Sequence, residues 1–564
     1  MRRSNSPTGH HFLTALEANP SSRAWLVVAY LAAMLQLCHV GNYVFGNPAD
    51  WITLAVITNV VPARDPYYIG LFGLTLVGAG TFILRPCGWS AWKYAIPIAV
   101  VAIAIIIVLL WEFNLDDKWV YYRTSRNAFL TGLPILNVGE MFNVNTSFLY
   151  PYLTAPGNFF GDFPQWEEWT KLLGLFFLFA APAAILIFLG IGPAAILTAA
   201  ALLFYVPGIL WSLGGLETPI AAFWLVLCVL VYLDRGARLW IWFFLGAIIW
   251  LRPDAILVGI GIFAAEFIMN PRSIGRHLAN GAIFSIPILA FIILNQWLFG
   301  RPLPSPFYVK GLNKAFSGHP GHVIDVLIGL THLASGLCVS FLVIFLIGST
   351  GFLIRNSWRK KEASGYLAAF TGVGIFLAYH VAGGYQHMNF AFRYFIPGIA
   401  ALTTVSGHYL VRSKAPISQS LAANAIAFQV VLSVFLAYHA KFVDTAFTVS
   451  GLRDRFSVHA YADFMKTWIE AGLRLRTLVK PGDRVFVVHG LATAAITDAY
   501  FRDKFYAPPN LSRFADLKKC TDDCPDKFDY YLIWPTPAFW PPNFTPVAEY
   551  PNLDILRRNA PPTK

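Results

Sequence analysis

The chain has 564 residues, 57% of them hydrophobic and 13% charged, against roughly 45–50% apolar and about 25% charged in an ordinary soluble domain. Apolar runs of about 20 residues match a hydrocarbon layer of ~30 Å at ~1.5 Å per helical residue, which excludes a water-soluble globule and points to a polytopic α-helical membrane protein. The formal net charge of +12 reads as loop Lys and Arg that fix orientation in the bilayer, so no nucleic-acid partner is expected.

Met1 to Ser22 is polar, and the first apolar run, Trp25 to Val44, leads into further membrane segments without a small-residue cleavage site, so it reads as a retained helix. Further spans are expected at 67–85, 94–112, 170–190, 192–210, 217–233, 239–251, 254–270, 281–299, 336–354, 365–382, 394–411 and 420–440. That makes about thirteen helices by apolar periodicity. The segments flanking Arg252-Pro253-Asp254 are short for a bilayer, and one kinked helix is the alternative to two. Joining them would put the basic stretch Arg355 to Lys361 outside, so a hairpin turning on the outer side is preferred.

With the basic amino terminus in the cytoplasm, the loops 1–23, 85–93, 234–238, 271–280, 355–363 and 412–419 are richer in Lys and Arg than the loops on the other side. The loops 113–169 and 300–335, the segment 383–393 and the chain after 441 then share the outer aqueous face of the inner (plasma) membrane. The chain divides into an amino-terminal tail with three membrane helices (1–112), an outer catalytic loop (113–169), a membrane helical core (170–440) and a small soluble outer α/β domain (441–564). In that last domain, strands are expected at 483–490 and 530–534 and helices near 458–478 and 491–501. Cys38, Cys87, Cys228 and Cys338 read as small buried hydrophobes. Cys520 and Cys524 form a C-x3-C pair in the polar tail. Outside the cytosol a local disulfide is expected there rather than a metal site, which would need two more ligands.

The chemistry is expected where Leu115-Asp116-Asp117 follows an apolar helix and runs on through Tyr121-Tyr122-Arg123-Thr-Ser-Arg126-Asn127. Paired carboxylates at a membrane exit are either functional or simply solvated. Arg123 and Arg126 fall about a turn apart on a helix and are placed either to pair them or to hold an anion.

Arg123-Thr-Ser-Arg126-Asn127-Ala-Phe-Leu-Thr-Gly132-Leu-Pro-Ile-Leu-Asn137-Val-Gly139-Glu140 after the Asp pair resembles the R-x-x-R-N-L-x-x-G-x-x-x-x-N-x-G-E pattern of GT-C class membrane glycosyltransferases that use a polyprenyl-phosphate sugar donor. Asn143-Val-Asn145-Thr146-Ser147 is similar to the E-A-N-T-S segment of the AftB-like terminal arabinofuranosyltransferases, with Asn143 where Glu is expected. The resemblance continues through Gly215-Leu216-Glu217-Thr218-Pro219, Leu251-Arg252-Pro253-Asp254, Pro304-Ser-Pro-Phe-Tyr308-Val-Lys310, Gly383-Gly384-Tyr-Gln-His387 to Arg393-Tyr-Phe-Ile-Pro397, and Pro481-Gly-Asp-Arg-Val in the tail. The family usually begins one helix before the Asp pair, so the helices at 25–44 and 67–85 are a departure.

The resemblance implies an inverting transfer of arabinofuranose from a polyprenyl-phosphate carrier to an envelope glycan or glycoconjugate. Oxocarbenium character develops on the sugar and negative charge on the departing phosphate, which calls for a carboxylate base and nearby cations. Asp116 is favoured as base, with Asp117 holding the acceptor or a divalent cation. Whether a metal takes part stays open, because members of the class differ. Lys310, Arg393, Arg252 and Arg123 are implied as donor-phosphate ligands, and Glu217, Tyr308, His387 and Asn145 as substrate contacts.

Each has a plainer alternative. Glu217 with Arg252 reads equally as a structural ion pair, Lys310 and Arg393 as interfacial cations, Tyr308 and Tyr385 as belt aromatics, and His387 as packing. Other functions stay open too: a protein O-mannosyltransferase or lipid A aminoarabinose-type transferase, a transporter or flippase, or the same fold without catalysis. The absence of internal repeats and the long 113–169 loop speak against transport.

Overall fold

The structure, a computed structural model, describes residues 92–115, 117–136, 141, 143–161, 163–236, 238–306, 322–357, 363–383, 389–415, 417, 419–439, 441–443, 455–480, 485–487, 500–501, 530–533, 544–550 and 553–559. Helix α1 (Trp92–Leu110) precedes α2 (Asp117–Thr131) and the short α3 (Tyr150–Thr154), and α4 spans Phe163–Leu189. The segment expected as an outer loop, 113–169, is therefore largely helical, and α4 begins at Phe163 rather than at 170. Glu167, which read as loop, is neutralised one turn on along the helix by Lys171.

There follow α5 (Pro193–Leu203), α6 (Val206–Leu213), α7 (Thr218–Arg235), α8 (Leu239–Ala247), α9 (Ile256–Met269), α10 (Ile274–Phe299), α11 (His322–Cys338), α12 (Phe341–Ser357), α13 (Ala363–Ala382), α14 (Ile396–Arg412) and α15 (Gln419–His439). Among the described residues five helices are long and apolar enough to cross a membrane, or up to seven if each of two bent pairs is one span. Several of the expected crossings are thus shorter helices, and those at 25–44 and 67–85 lie outside the described residues.

Two expected spans, 192–210 and 336–354, are interrupted. α5 and α6 meet at 49°, and α11 and α12 at 101°. Pro207 sits in the first turn of α6, where it removes a hydrogen-bond donor and disfavours a helical residue before it. Breaks expose backbone groups that lipid cannot satisfy, and Gln429 on α15 serves both. Its Nε2 donates to the Phe204 carbonyl (3.2 Å), and its Oε1 accepts from the Ser340 hydroxyl (3.2 Å) and the Leu342 amide (3.4 Å). The Ser433 hydroxyl adds a bond to the same Phe204 carbonyl at 2.7 Å.

Around Arg252 the chain reverses. The Trp242 and Phe263 rings meet at 5.7 Å, and Leu245 packs against Gly259, pairing α8 with α9 as the two limbs of a hairpin. Helix α9 also packs on α13 through Gly261 and Gly372. A Cβ at Gly261 would lie 2.6 Å from the Gly372 Cα, so only glycine permits this approach.

Beyond α15, β1 (Lys441–Val443) pairs antiparallel with β2 (Arg455–Ser457), and α16 spans Val458–Leu478. A five-stranded sheet has the order β4-β3-β5-β7-β6, where β3 is Val485–Val487, β4 Tyr500–Phe501, β5 Tyr530–Ile533, β6 Phe544–Tyr550 and β7 Leu553–Arg558. β3 runs parallel to β4 and β5, whereas β7 is antiparallel to β5 and β6. The amphipathic α16 buries Met465, Trp468, Ala471 and Leu475, and its Leu478 carbonyl accepts from the Tyr530 hydroxyl at 3.0 Å. Residues 500–501, expected in a helix, are strand because they pair with β3. Cys520 and Cys524 lie outside the described residues.

Candidate active site

Asp117 opens α2, where the helix dipole favours a carboxylate. Its Oδ2 accepts from Nη1 of Arg393 at 2.7 Å. The second arm of Arg393, Nη2, lies 3.9 Å from Oε1 of Glu217, the residue at the N-cap of α7. The guanidinium stands 5.3 Å from the Trp211 ring centroid, and the Trp211 indole donates to the Ala391 carbonyl at 3.2 Å. Burial opposes the charge on Arg393, but Asp117 and Glu217 outweigh it and hold its pKa above the ordinary guanidinium value.

The segment that presents Arg393 is strained. Ala391 and Phe392 have φ of 43° and 63°, a left-handed conformation that side chains with a Cβ adopt at about 1–2 kcal/mol each. The Tyr394 amide donates to the Asn389 side chain at 2.9 Å, which closes the turn.

Tyr121, one turn into α2, faces Glu217. Burial first, then the Glu217 charge, raises its pKa far above the ordinary phenol value and keeps it a neutral donor. Oε2 of Glu217 is buried with no hydrogen-bond partner, as are Nε of Arg393 and Nη1 of Arg252. Three charged groups thus keep unused hydrogen-bonding capacity inside one cluster.

Arg252 lies beside them but is not paired with Glu217 as one reading of the sequence had it. Its Nε and Nη2 fork onto Asp254, at 3.2 and 2.8 Å, because the turn through Pro253 brings the two side chains together. Nε2 of His380, near the end of α13, meets Asp254 at 2.8 Å, and the Tyr394 ring stacks on His380 at 5.5 Å. Burial works against the Asp254 charge, but Arg252 and His380 more than compensate and hold its pKa well below the carboxylate range.

A second ionic cluster backs the first. Oε1 of Glu167 receives Nζ of both Lys118 and Lys171, each at 2.8 Å, and Lys171 also donates to the Trp111 carbonyl at 2.7 Å. Burial brings the Lys118 ammonium down to about 8, only partly offset by Glu167. Gly215 (φ +70°) makes room for it, since a Cβ there would lie 2.7 Å from Lys118 Cδ.

The structure therefore joins Asp117, Glu217 and Arg393 and sets Arg252 next to them. Arg123 is buried on α2. Asn145 is engaged in the fold itself: it accepts from the Thr124 hydroxyl at 3.0 Å and donates to the Pro134 carbonyl at 3.2 Å. Asp116, Tyr308, Lys310 and His387 lie outside the described residues. Sequence reasoning missed Trp211, His380, Tyr394 and Lys118. Among the described residues no group of three or more His, Cys, Asp or Glu is placed to hold a metal ion, so the divalent cation remains an expectation attached to Asp117.

Beside the cluster a narrow apolar groove is lined by Phe177, Ala181, Ala222, Val343 and Ile399 and reaches Ser212, the neighbour of Trp211.

No protein-family model matches the chain, and no curated protein matches it. Solved structures do. ArnT from Cupriavidus metallidurans bound to undecaprenyl phosphate is similar at a TM-score of 0.55 and 13% identity, covering 82% of this chain and 98% of that one. The apo state of the same protein gives 0.55 and 13%, with 83% and 98% covered. The chain is a multi-pass helical membrane protein with the fold of ArnT.

Proposed function

We propose that this chain is a GT-C glycosyltransferase that moves a sugar from a polyprenyl-phosphate carrier to a cell-envelope glycan or glycoconjugate on the outer face of the inner membrane. The observation that carries the reading is the buried Asp117–Arg393–Glu217 cluster, with Arg252 beside it, in a fold shared with a protein crystallised with undecaprenyl phosphate.

In the mechanism we infer, Asp116 takes the proton of the acceptor hydroxyl. The acceptor oxygen bonds to the anomeric carbon as the bond from that carbon to the phosphate oxygen breaks, and polyprenyl phosphate leaves. One displacement inverts the anomeric centre. The ion pair supports this division of labour, because a carboxylate neutralised by Arg393 at 2.7 Å is a weak base. Asp117 holds Arg393 until the donor phosphate takes over its fork, with Lys310, Arg252 and Arg123 adding charge. Glu217, Tyr308 and His387 contact the sugar or acceptor.

Arabinofuranose is the sugar the sequence motifs favour. An aminoarabinose-type lipid A transferase is the second reading, favoured by the ArnT likeness. Incubating the purified chain with a panel of polyprenyl-phosphate sugars and both acceptor classes tests the proposal. Release of lipid phosphate with glycosylated acceptor is expected for one donor. A folded protein that releases none from any donor overturns it.

A further inference from the structure

The Arg252–Asp254 fork is local. Arg252 is extended (φ −148°, ψ 111°), Pro253 starts a short 3-10 turn, and the Ala255 amide donates to the Arg252 carbonyl at 3.1 Å. Residues two apart on one such turn fix their side chains relative to each other, but the pair can still shift as a unit with the α8–α9 hairpin. A contact from another element is needed to tie it to the rest of the cluster.

His380 makes that tie from α13. Its side chain is 9% exposed, and its Nε2 meets Oδ2 of Asp254, the oxygen that also accepts from Nη2 of Arg252, at 2.8 Å in each case. An ionised carboxylate only accepts, so Nε2 carries the proton and donates. The imidazole is held in its orientation by aromatic neighbours. The Phe376 ring stands against it at 4.6 Å and 72°, and the Tyr394 ring lies within 8° of parallel at 5.5 Å.

Tyr394 carries the tie further. Its ring centroid is 5.8 Å from the guanidinium carbon of Arg252 and 5.8 Å from that of Arg393. Two like charges beside one ring repel each other, and Asp254 and Asp117 each offset one of them. His380 thus touches both the carboxylate that holds Arg252 and the ring that flanks the two cations, yet the transfer mechanism gives it no step.

We propose that His380 is a positioning residue for the donor phosphate: through Asp254 it sets where Arg252 points, and through Tyr394 it keeps Arg252 in register with Arg393. The inference rests on the transferase reading. Without the His380 hydrogen bond the Arg252–Asp254 pair moves with its hairpin, and the phosphate meets one well-placed guanidinium instead of two.

Binding of undecaprenyl phosphate to the purified full chain in detergent, together with transfer kinetics for the polyprenyl-phosphate sugar that the parent accepts, tests it. His380→Phe keeps a ring against Phe376 and Tyr394 and removes the N–H. It should weaken undecaprenyl phosphate binding and raise the donor KM by about ten-fold, with kcat within about two-fold of the parent because the proposed base is untouched. His380→Asn, whose amide is too short to reach Asp254, serves in its place if the phenylalanine variant does not fold. His380→Gln returns an N–H to the place of Nε2 and should recover most of the affinity, which a histidine needed only for packing would not allow. In an Asp254→Asn background, His380→Phe should cost less than it does in the parent. Unchanged donor affinity in His380→Phe, a loss as large in His380→Gln, or the full loss retained beside Asp254→Asn would each overturn the positioning role. A parent that neither binds undecaprenyl phosphate nor uses any donor overturns the transferase reading and this inference with it. A parent that binds the lipid while His380→Phe binds it equally well overturns the inference alone.

Discussion

Arg393 and Asp117, 276 residues apart in the chain, meet at 2.7 Å in the interior of the helical body. Removing one partner of such a pair strands the other, at about 3–5 kcal/mol. Arg393→Ala should therefore lower both stability and donor affinity, and Arg393→Lys should restore the first more than the second because Lys lacks the fork. In a double-mutant cycle, Asp117→Asn with Arg393→Gln should lose less than the sum of the singles, with a coupling of about 0.5–3 kcal/mol. Additive losses in thermal unfolding would place the pair outside the energetics of the site.

Asp116→Asn should reduce turnover by about 10²- to 10⁴-fold while leaving donor affinity unchanged, as loss of a general base does. Asp117→Asn, by contrast, should change donor binding as well, because it releases the Arg393 fork that the donor phosphate is proposed to take. Wild-type rates in both variants would remove the carboxylates from the mechanism.

Ala391→Gly relieves a left-handed residue and should raise stability by about 1 kcal/mol. It also frees the turn that aims Arg393, so kcat is expected to fall as the melting temperature rises. A variant faster than the parent would show that the strained turn has no part in positioning.

Glu167→Gln leaves two buried ammonium groups without their carboxylate and should destabilise by about 3 kcal/mol or more. Lys171→Met leaves the Lys118–Glu167 contact intact and should be milder. Gly215→Ala meets both φ of +70° and the Lys118 side chain, and should lose about 1–3 kcal/mol in thermal unfolding.

Orientation is open to labelling. Gln165→Cys should react with an impermeant maleimide from the outside of intact cells and Arg238→Cys only after permeabilisation. The reverse pattern would carry the Asp117 cluster to the wrong face for the proposed reaction.

The helices were legible because their apolar runs are long, and Asp117, Glu217, Arg252 and Arg393 stood out as charges beside such runs. The partnerships were not. His380 meets Asp254 across 126 residues, and nothing local in either segment marks the pairing. The bend at Ser340 has no proline or glycine beside it, and hydropathy runs straight through it. Pro207 did signal the other break, but the surrounding apolarity masked it. The hairpin of β6 and β7 was not among the expected strands, and in it Pro546 is accommodated at a register shift between Pro546 and Ala548.

One amide in the middle of the apolar slab makes two separate interruptions into a single joint. Because Gln429 holds the end of α5 and the start of α12 together, neither break is free to straighten or shift alone. The next helix after the first break is α6, which carries Trp211 against the guanidinium of Arg393. The resting position of Arg393 is thus referenced to a side chain on α15, and play in that joint would reach the proposed donor-phosphate site as a change of aim.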